Sequence, residues 1–292
     1  MNYLLYGLSW SLPFLSPDLP ETKELPAITV AFGVLDEKDI NWTHTGVCYK
    51  ATRGAYLLCV PGVAKYLATN GDTIIIEAEA NIPQEDIVIF LYNLVAGAIL
   101  LQRGILPLQA SVVAKKGKAS VLLGGSGMGK SIVAAGLMQQ GFDFVTDTIC
   151  AVHPGDEPII KAGYPYLMLW HGEMKMLGYE PNQCKKARRH LEKYCLPVPD
   201  ERFCTEAIIE NLYLFENSNE SGLYVTPIIG QAKFTAILIS VYHNPLINAF
   251  GVQKELYRSI ITLINKSSIE KVRSSMRLDK THDFLNSFSK QF

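Results

Sequence analysis

The residues best placed to do chemistry are Gly124-Gly125-Ser126-Gly127-Met128-Gly129-Lys130-Ser131, which match the pattern G-x-x-x-x-G-K-[ST]. Glycines at these positions let the backbone fold around phosphates with its N–H groups pointing inward, and a helix starting at the end of the loop adds a positive dipole end. In that arrangement Lys130 reaches the β- and γ-phosphate oxygens of ATP or GTP. Ser131 offers its hydroxyl to the Mg2+ ion that bridges them. A dinucleotide is disfavoured, because the glycines are not spaced G-x-G-x-x-G. The next candidate is Asp147, which follows the apolar pair Phe144-Val145. At the carboxyl end of a strand it would face the ligand crevice, where it could hold magnesium or accept the proton of an attacking hydroxyl. Its alternative is a turn-forming aspartate before Thr148.

These residues need a strand before the loop and a helix after it. Residues 119–123, Ala-Ser-Val-Leu-Leu, read as a compact apolar strand, and residues 132–140 as a helix, which is the context the motif requires. Upstream, residues 1–80 read as a β-rich lobe, with strands at 3–8, 27–34, 55–60 and 73–78 separated by Pro, Gly, Asn and Asp. The period changes near Asn81, which places a boundary between a lobe at 1–80 and a domain at 81–292. Residues 87–102 predict a buried helix, capped by Asn81, with Pro83 in its first turn and Arg103-Gly104 as its stop. Beyond it, alternating strand and helix signals predict an α/β fold with a partly parallel sheet. One or two strands are expected at 159–170 and another at 207–215. Between them lies a basic, solvent-facing stretch at 183–194, and helices at 231–242, 252–265 and 281–289 accompany a short strand at 272–278.

Bulk properties narrow the partners. With 27 basic and 28 acidic residues the net charge is −1, so no overall bias recruits nucleic acid or an anionic membrane. The uncharged run at 87–102 is shorter than the roughly 20 residues of a membrane span. The six cysteines are scattered without a C-x-x-C pair, and the N-terminus lacks a basic region followed by a cleavage site. Reduced thiols and a cytoplasmic location are the expectation. His153 and His171 lack partners at metal-ligand spacing, Ser111 and Cys150 belong to no recognisable triad, and Trp170 reads as a core residue.

Leu108-Gln109-Ala110-Ser111-Val112-Val113, the phosphate loop, and Gly141-Phe142-Asp143-Phe144-Val145-Thr146-Asp147 together resemble the kinase core of HPr kinase/phosphorylase. They are more similar still to the HPr-kinase-like enzymes that accompany ribosomally made peptides, including the lasso-peptide kinases. Tyr6-Gly7-Leu8 resembles the family's opening strand, residues 163–170 its P-x-L-R-L-W segment, and Lys193 with Pro197 its K-R-x-x-P segment. The resemblance implies an α/β fold with a P-loop kinase core of the HPr kinase type, a small β-rich N-terminal lobe and a helical C-terminal region. It also implies a serine kinase using ATP and Mg2+ on a peptide or protein substrate, with Ser131 and Asp147 at the metal, Asp147 activating the acceptor hydroxyl, and Lys193 near phosphate or substrate. Relatives form homo-oligomers.

Two positions depart from the family. Gln109 stands where relatives commonly carry His, and Thr148 where they carry a second carboxylate. Gln cannot exchange a proton near neutral pH, and Thr carries no negative charge. Either Asp147 serves both as base and as metal ligand, or another carboxylate helps, with Glu173 the candidate. The cluster Lys185, Lys186, Arg188, Arg189 and His190, extended by Lys193, could steer an acidic peptide or phosphates, or could be a solvated face.

Overall fold

The structure is a computed structural model that describes residues 1–188, 191–218, 223–274 and 281–291. Its first layer is one sheet of eight strands: β1 (Asn2–Leu5), β2 (Leu8–Ser11), β3 (Ile28–Phe32), β4 (His44–Thr45), β5 (Tyr49–Thr52), β6 (Ala55–Val60), β7 (Ala64–Thr69) and β8 (Thr73–Ala78). They are ordered β1-β2-β3-β8-β7-β6-β5-β4. The strand expected at 3–8 is in fact two. Tyr6 (φ 54°) and Gly7 (φ 71°) turn the chain back, and β2 pairs antiparallel with β1. A tyrosine in the left-handed region is no turn signal in a sequence. Burial holds it there, since Tyr6 is fully enclosed and its hydroxyl donates to the Tyr92 carbonyl at 3.0 Å.

A helical rod follows: α1 (Gln84–Phe90), a π-helical stretch (Leu91–Val95) and α2 (Ala96–Gln102). Asn81 does not cap it. Asn81 sits at φ 61°, the cap position is Pro83, and no side chain bonds the first turn. The expected stop is present, with Arg103 at the end and Gly104 at φ 70°. The 19-residue rod is long and apolar enough to cross a membrane by length and composition. It lies instead in the protein core, where Leu91, Tyr92 and Val95 through α2 to Leu101 are enclosed. A methyl group on Gly97 would come within 2.5 Å of the Tyr242 ring, so glycine permits this close approach.

The second layer begins with β9 (Leu106–Lys115), β10 (Lys118–Leu123), α3 (Lys130–Gln139), β11 (Asp143–Thr146), β12 (Ile149–His153) and β13 (Ile159–Lys161). A three-stranded sheet then splits off, formed by β14 (Tyr166–Trp170), β15 (Lys185–Lys186) and β16 (Lys193–Pro197), with α4 (His171–Met176) at its end. The chain returns through β17 (Glu206–Asn217), β18 (Leu223–Pro227), α5 (Ala232–Ile239), α6 (Pro245–Phe250), α7 (Gln253–Lys266), β19 (Ser268–Ser274) and α8 (Thr281–Phe288). The last strand begins before the position expected, and residues 275–280 lie outside the described residues.

The second sheet is mixed, with β10 parallel to β17 and β17 parallel to β19, whereas β9 runs antiparallel to β10, β11 and β12. β17 reaches both β13 and β10, so β10, β9, β12, β13 and β17 close a ring of pairings. One apolar cluster joins the first sheet, the rod and part of the second sheet. Another joins α3 to β14, β16 and α8.

The basic stretch is an edge strand and loop. Lys185 and Lys186 are exposed on β15, and the Arg188 guanidinium lies 4.5 Å from the Phe90 ring centroid. Arg189 and His190 lie outside the described residues. All six cysteines are free thiols.

Candidate phosphate-binding site

β10 ends at Leu123 and α3 begins at Lys130, so the glycine-rich loop spans a strand end and a helix start. Gly124 (φ 139°), Gly127 (φ 82°) and Gly129 (φ 76°) adopt backbone conformations that L side chains rarely take, and Gly129 is the helix cap residue. A Cβ on Gly124 would also lie 3.1 Å from the Phe215 carbonyl. Lys130 is buried, and its ammonium donates to the carbonyls of Gly124 (2.8 Å) and Gly125 (2.7 Å). Burial lowers its pKa, the carboxylate of Asp147 opposes that shift, and Lys193 adds to it. Met128 contributes backbone to the loop, while its side chain packs into the core under α3.

Ser131, in the first turn of α3, donates to Asp147 with its oxygen 3.0 and 3.1 Å from Oδ1 and Oδ2. Asp147 is itself buried and accepts two further bonds, from the Ser111 hydroxyl at 2.5 Å and from the Met168 backbone N–H at 3.1 Å. Hydrogen bonds to an ionised acceptor are about twice as strong as neutral ones, so this carboxylate is fixed from three elements: β9, α3 and β14. Its backbone is fixed too. The Ile149 N–H donates to the Asp147 carbonyl at 2.9 Å around Thr148, whose φ is 73°. A β-branched residue in that tight turn carries about 1–3 kcal/mol of strain, which such positions store at functional sites. Asp147 is thus both a turn residue and a cleft residue.

The cleft beside this pair is lined by Gln109, Thr148, Trp170, Glu173 and Lys193 together with the loop. Gln109 is held on β9 by its N–H to the Ser240 carbonyl at 2.7 Å. Trp170 corrects the sequence expectation: it is 46% exposed and faces the cleft, because it lies on the open face of the terminal residue of β14. Lys193 is its cross-strand partner, with the ammonium 5.8 Å from the indole centroid. Glu173 accepts the Trp170 N–H at 2.8 Å, and burial raises its pKa against the opposing pull of that bond and of Lys193.

No protein-family model matches the chain, and no curated protein matches it. Among solved structures, the Hpr(Ser) kinase/phosphatase from Coxiella burnetii superposes with a TM-score of 0.32 at 8% identity, over 63% of this chain and 96% of that one. A score that low carries no argument about fold or chemistry.

The phosphate loop, Asp147, Gln109, Glu173 and Lys193 lie together in this loop and cleft, whereas Lys185 and Lys186 line a separate pocket, Arg188 packs on Phe90, and Arg189 and His190 lie outside the described residues. Sequence reading missed the roles of Ser111 and of the Met168 N–H. Ser111 lies two residues from Gln109 on β9, inside the 108–113 segment but with no triad or ligand spacing to mark it, and a backbone donor leaves no mark in a sequence. Among the described residues no group of three or more His, Cys, Asp or Glu gathers to hold a metal. The hydroxyl of Ser131 and the carboxylate of Asp147 are hard oxygen donors, and one or two such protein ligands suffice for Mg2+, which keeps several of its waters.

Proposed function

We propose that this chain is an ATP-dependent kinase that moves the γ-phosphoryl group to a serine hydroxyl of a peptide or protein, with a lasso-peptide precursor as the acceptor its motifs imply. The observation that carries the reading is the contact between Ser131 and Asp147 directly behind a glycine-rich loop that opens a helix. The loop N–H groups and Lys130 would bind the phosphates, and phosphate would replace the Gly124 and Gly125 carbonyls as partners of the ammonium. Ser131 and Asp147 would hold Mg2+, which when bound supplies neutralisation of the phosphate charge.

In the transfer, the serine oxygen attacks the γ-phosphorus and a new O–P bond forms. The bond from that phosphorus to the β–γ bridging oxygen breaks, and ADP leaves with its electron pair. The hydroxyl proton passes to Asp147. Little covalent work falls to the protein, so rate comes from positioning and charge.

One feature favours a second reading, a nucleotide-binding regulator without transfer. Asp147 already accepts bonds from Ser111, Ser131 and Met168, and Gln109 cannot take a proton in its place. Intact-mass analysis of a serine-bearing precursor peptide with ATP and Mg2+ separates the two. The kinase predicts a gain of one phosphate, reduced about 100- to 1,000-fold in folded Lys130→Ala. ATP binding with no mass gain on precursor peptide, HPr or free serine would favour the regulator.

A further inference from the structure

The open face of β14 continues past the phosphate cleft into a second pocket. Alternation along the strand puts Tyr166, Met168 and Trp170 on one side and the enclosed Leu167 and Leu169 on the other. Trp170 and Met168 line the phosphate cleft, whereas Tyr166 lines a pocket that opens between β14, the first turns of α1 and the loop before Asp18. Cys195, the cross-strand partner of Met168, lines the second pocket, so the Met168–Cys195 pair is the divide between them.

Part of the pocket wall is aromatic and aliphatic, and Asp18, Gln84, Glu85, Lys185 and Lys186 supply its polar part. Tyr164 and Tyr166 stack with centroids 4.7 Å apart at 27°, and the Tyr164 hydroxyl donates to Asp18 at 3.3 Å, which ties the pair to the N-terminal sheet's loop. Val88 and Ile89 of α1 and Leu15 face them. A flat ring or a large aliphatic side chain fits such a wall, because it gains apolar burial and an offset contact with the phenol faces.

The spacing connects the two pockets. The Met168 N–H is bonded to Asp147, and Tyr166 lies two residues away along an extended strand, an advance of about 6.6 Å. An extended chain laid along the same face advances by the same amount every two residues and directs alternate side chains the same way.

We propose that the acceptor is a peptide segment laid in extended conformation along the open face of β14, with its hydroxyl at Asp147 and a large apolar side chain two residues away in the Tyr164–Tyr166 pocket. This rests on the kinase reading above for the role of Asp147. The pocket makes the N-terminal sheet part of substrate recognition, through the loop that carries Leu15 and Asp18.

The test uses short labelled peptides with one serine and either Phe or Ala two positions before or after it. Binding is read by fluorescence anisotropy, and phosphorylation by intact mass with ATP and Mg2+. A Phe peptide should bind at least about tenfold more tightly than its Ala counterpart. That preference should disappear in Tyr166→Ala and in Ile89→Ala, two changes on opposite walls, with ATP affinity unchanged in both as evidence of folding. If the Phe peptide is bound in this pocket-dependent way but never phosphorylated, the groove stands and the kinase reading falls. Phosphorylation that ignores Phe, Tyr166 and Ile89 would leave the kinase and overturn the groove. Absence of binding to any of the peptides would overturn the groove as well.

Discussion

Asp147 is held by three donors, and the serine on β9 gives the sharpest single-residue prediction. Ser111 contributes a 2.5 Å bond to the carboxylate from the enclosed middle of β9. Ser111→Ala removes that donor without adding bulk, so it should cost about 1.5–3 kcal/mol of stability, the range for a hydrogen bond to a charged group. Denaturant melts measure that loss. Phosphoryl transfer should also slow in kcat while ATP affinity stays constant, since the phosphate loop is untouched.

Glu173 supplies a pH signature. Its folded pKa is raised by burial, so the folded protein holds that proton more tightly than the unfolded chain does. The stability contributed is complete below the unfolded carboxyl pKa, about 4.3, and is lost as pH rises through the raised folded value. Glu173→Gln cannot ionise. Melting temperatures of the two proteins compared from acid to neutral pH should therefore diverge in that window, with the wild type falling relative to the variant.

At the scale of elements, the feature to perturb is the turn between β11 and β12. Thr148 occupies φ 73° so that the chain can bend around the Asp147 carbonyl. Thr148→Gly relieves the strain of a β-branched residue there, and after the entropic cost of glycine the net gain should be about 1 kcal/mol. The same change frees the backbone that aims Asp147. A more stable protein with slower phosphoryl transfer is the expected pair of results, and a variant both more stable and equally fast would show that the strain has no part in the site.

Elements also show where the sequence could be read and where it could not. The phosphate loop was legible because strand, glycines and helix are contiguous, and β6 and β8 were legible because their apolar runs are bounded by turn residues. β1 and β2 were merged because a buried tyrosine makes the turn at Tyr6, and tertiary packing holds it there. The helical rod starts at Gln84 without a side-chain cap, so the Asn81 signal pointed to the wrong residue. Trp170 looked like core because apolar composition does not report which face of an edge sheet is covered.

For the whole molecule, the boundary expected near Asn81 falls between two sheets that share one apolar core. Tyr3, Tyr6, Trp10 and Ile28 of the first sheet belong to the same cluster as the rod and the second sheet. Polar contacts cross the boundary as well: the Tyr6 hydroxyl reaches the Tyr92 carbonyl at 3.0 Å, Tyr92 donates to Ser16 at 2.8 Å, and the Tyr6 N–H donates to the Ala162 carbonyl at 2.7 Å. A chain of residues 81–292 would expose the apolar face of a rod that is long enough to span a membrane and would leave buried carbonyls without donors. The intact protein should therefore melt in one cooperative transition, with far- and near-ultraviolet circular dichroism giving coincident curves. The 81–292 fragment should be insoluble, or compact without fixed tertiary signals. A soluble fragment with dispersed amide resonances and ATP affinity equal to that of the full chain would show instead that the N-terminal sheet is an appended unit, and that the phosphate loop needs only its own layer to fold.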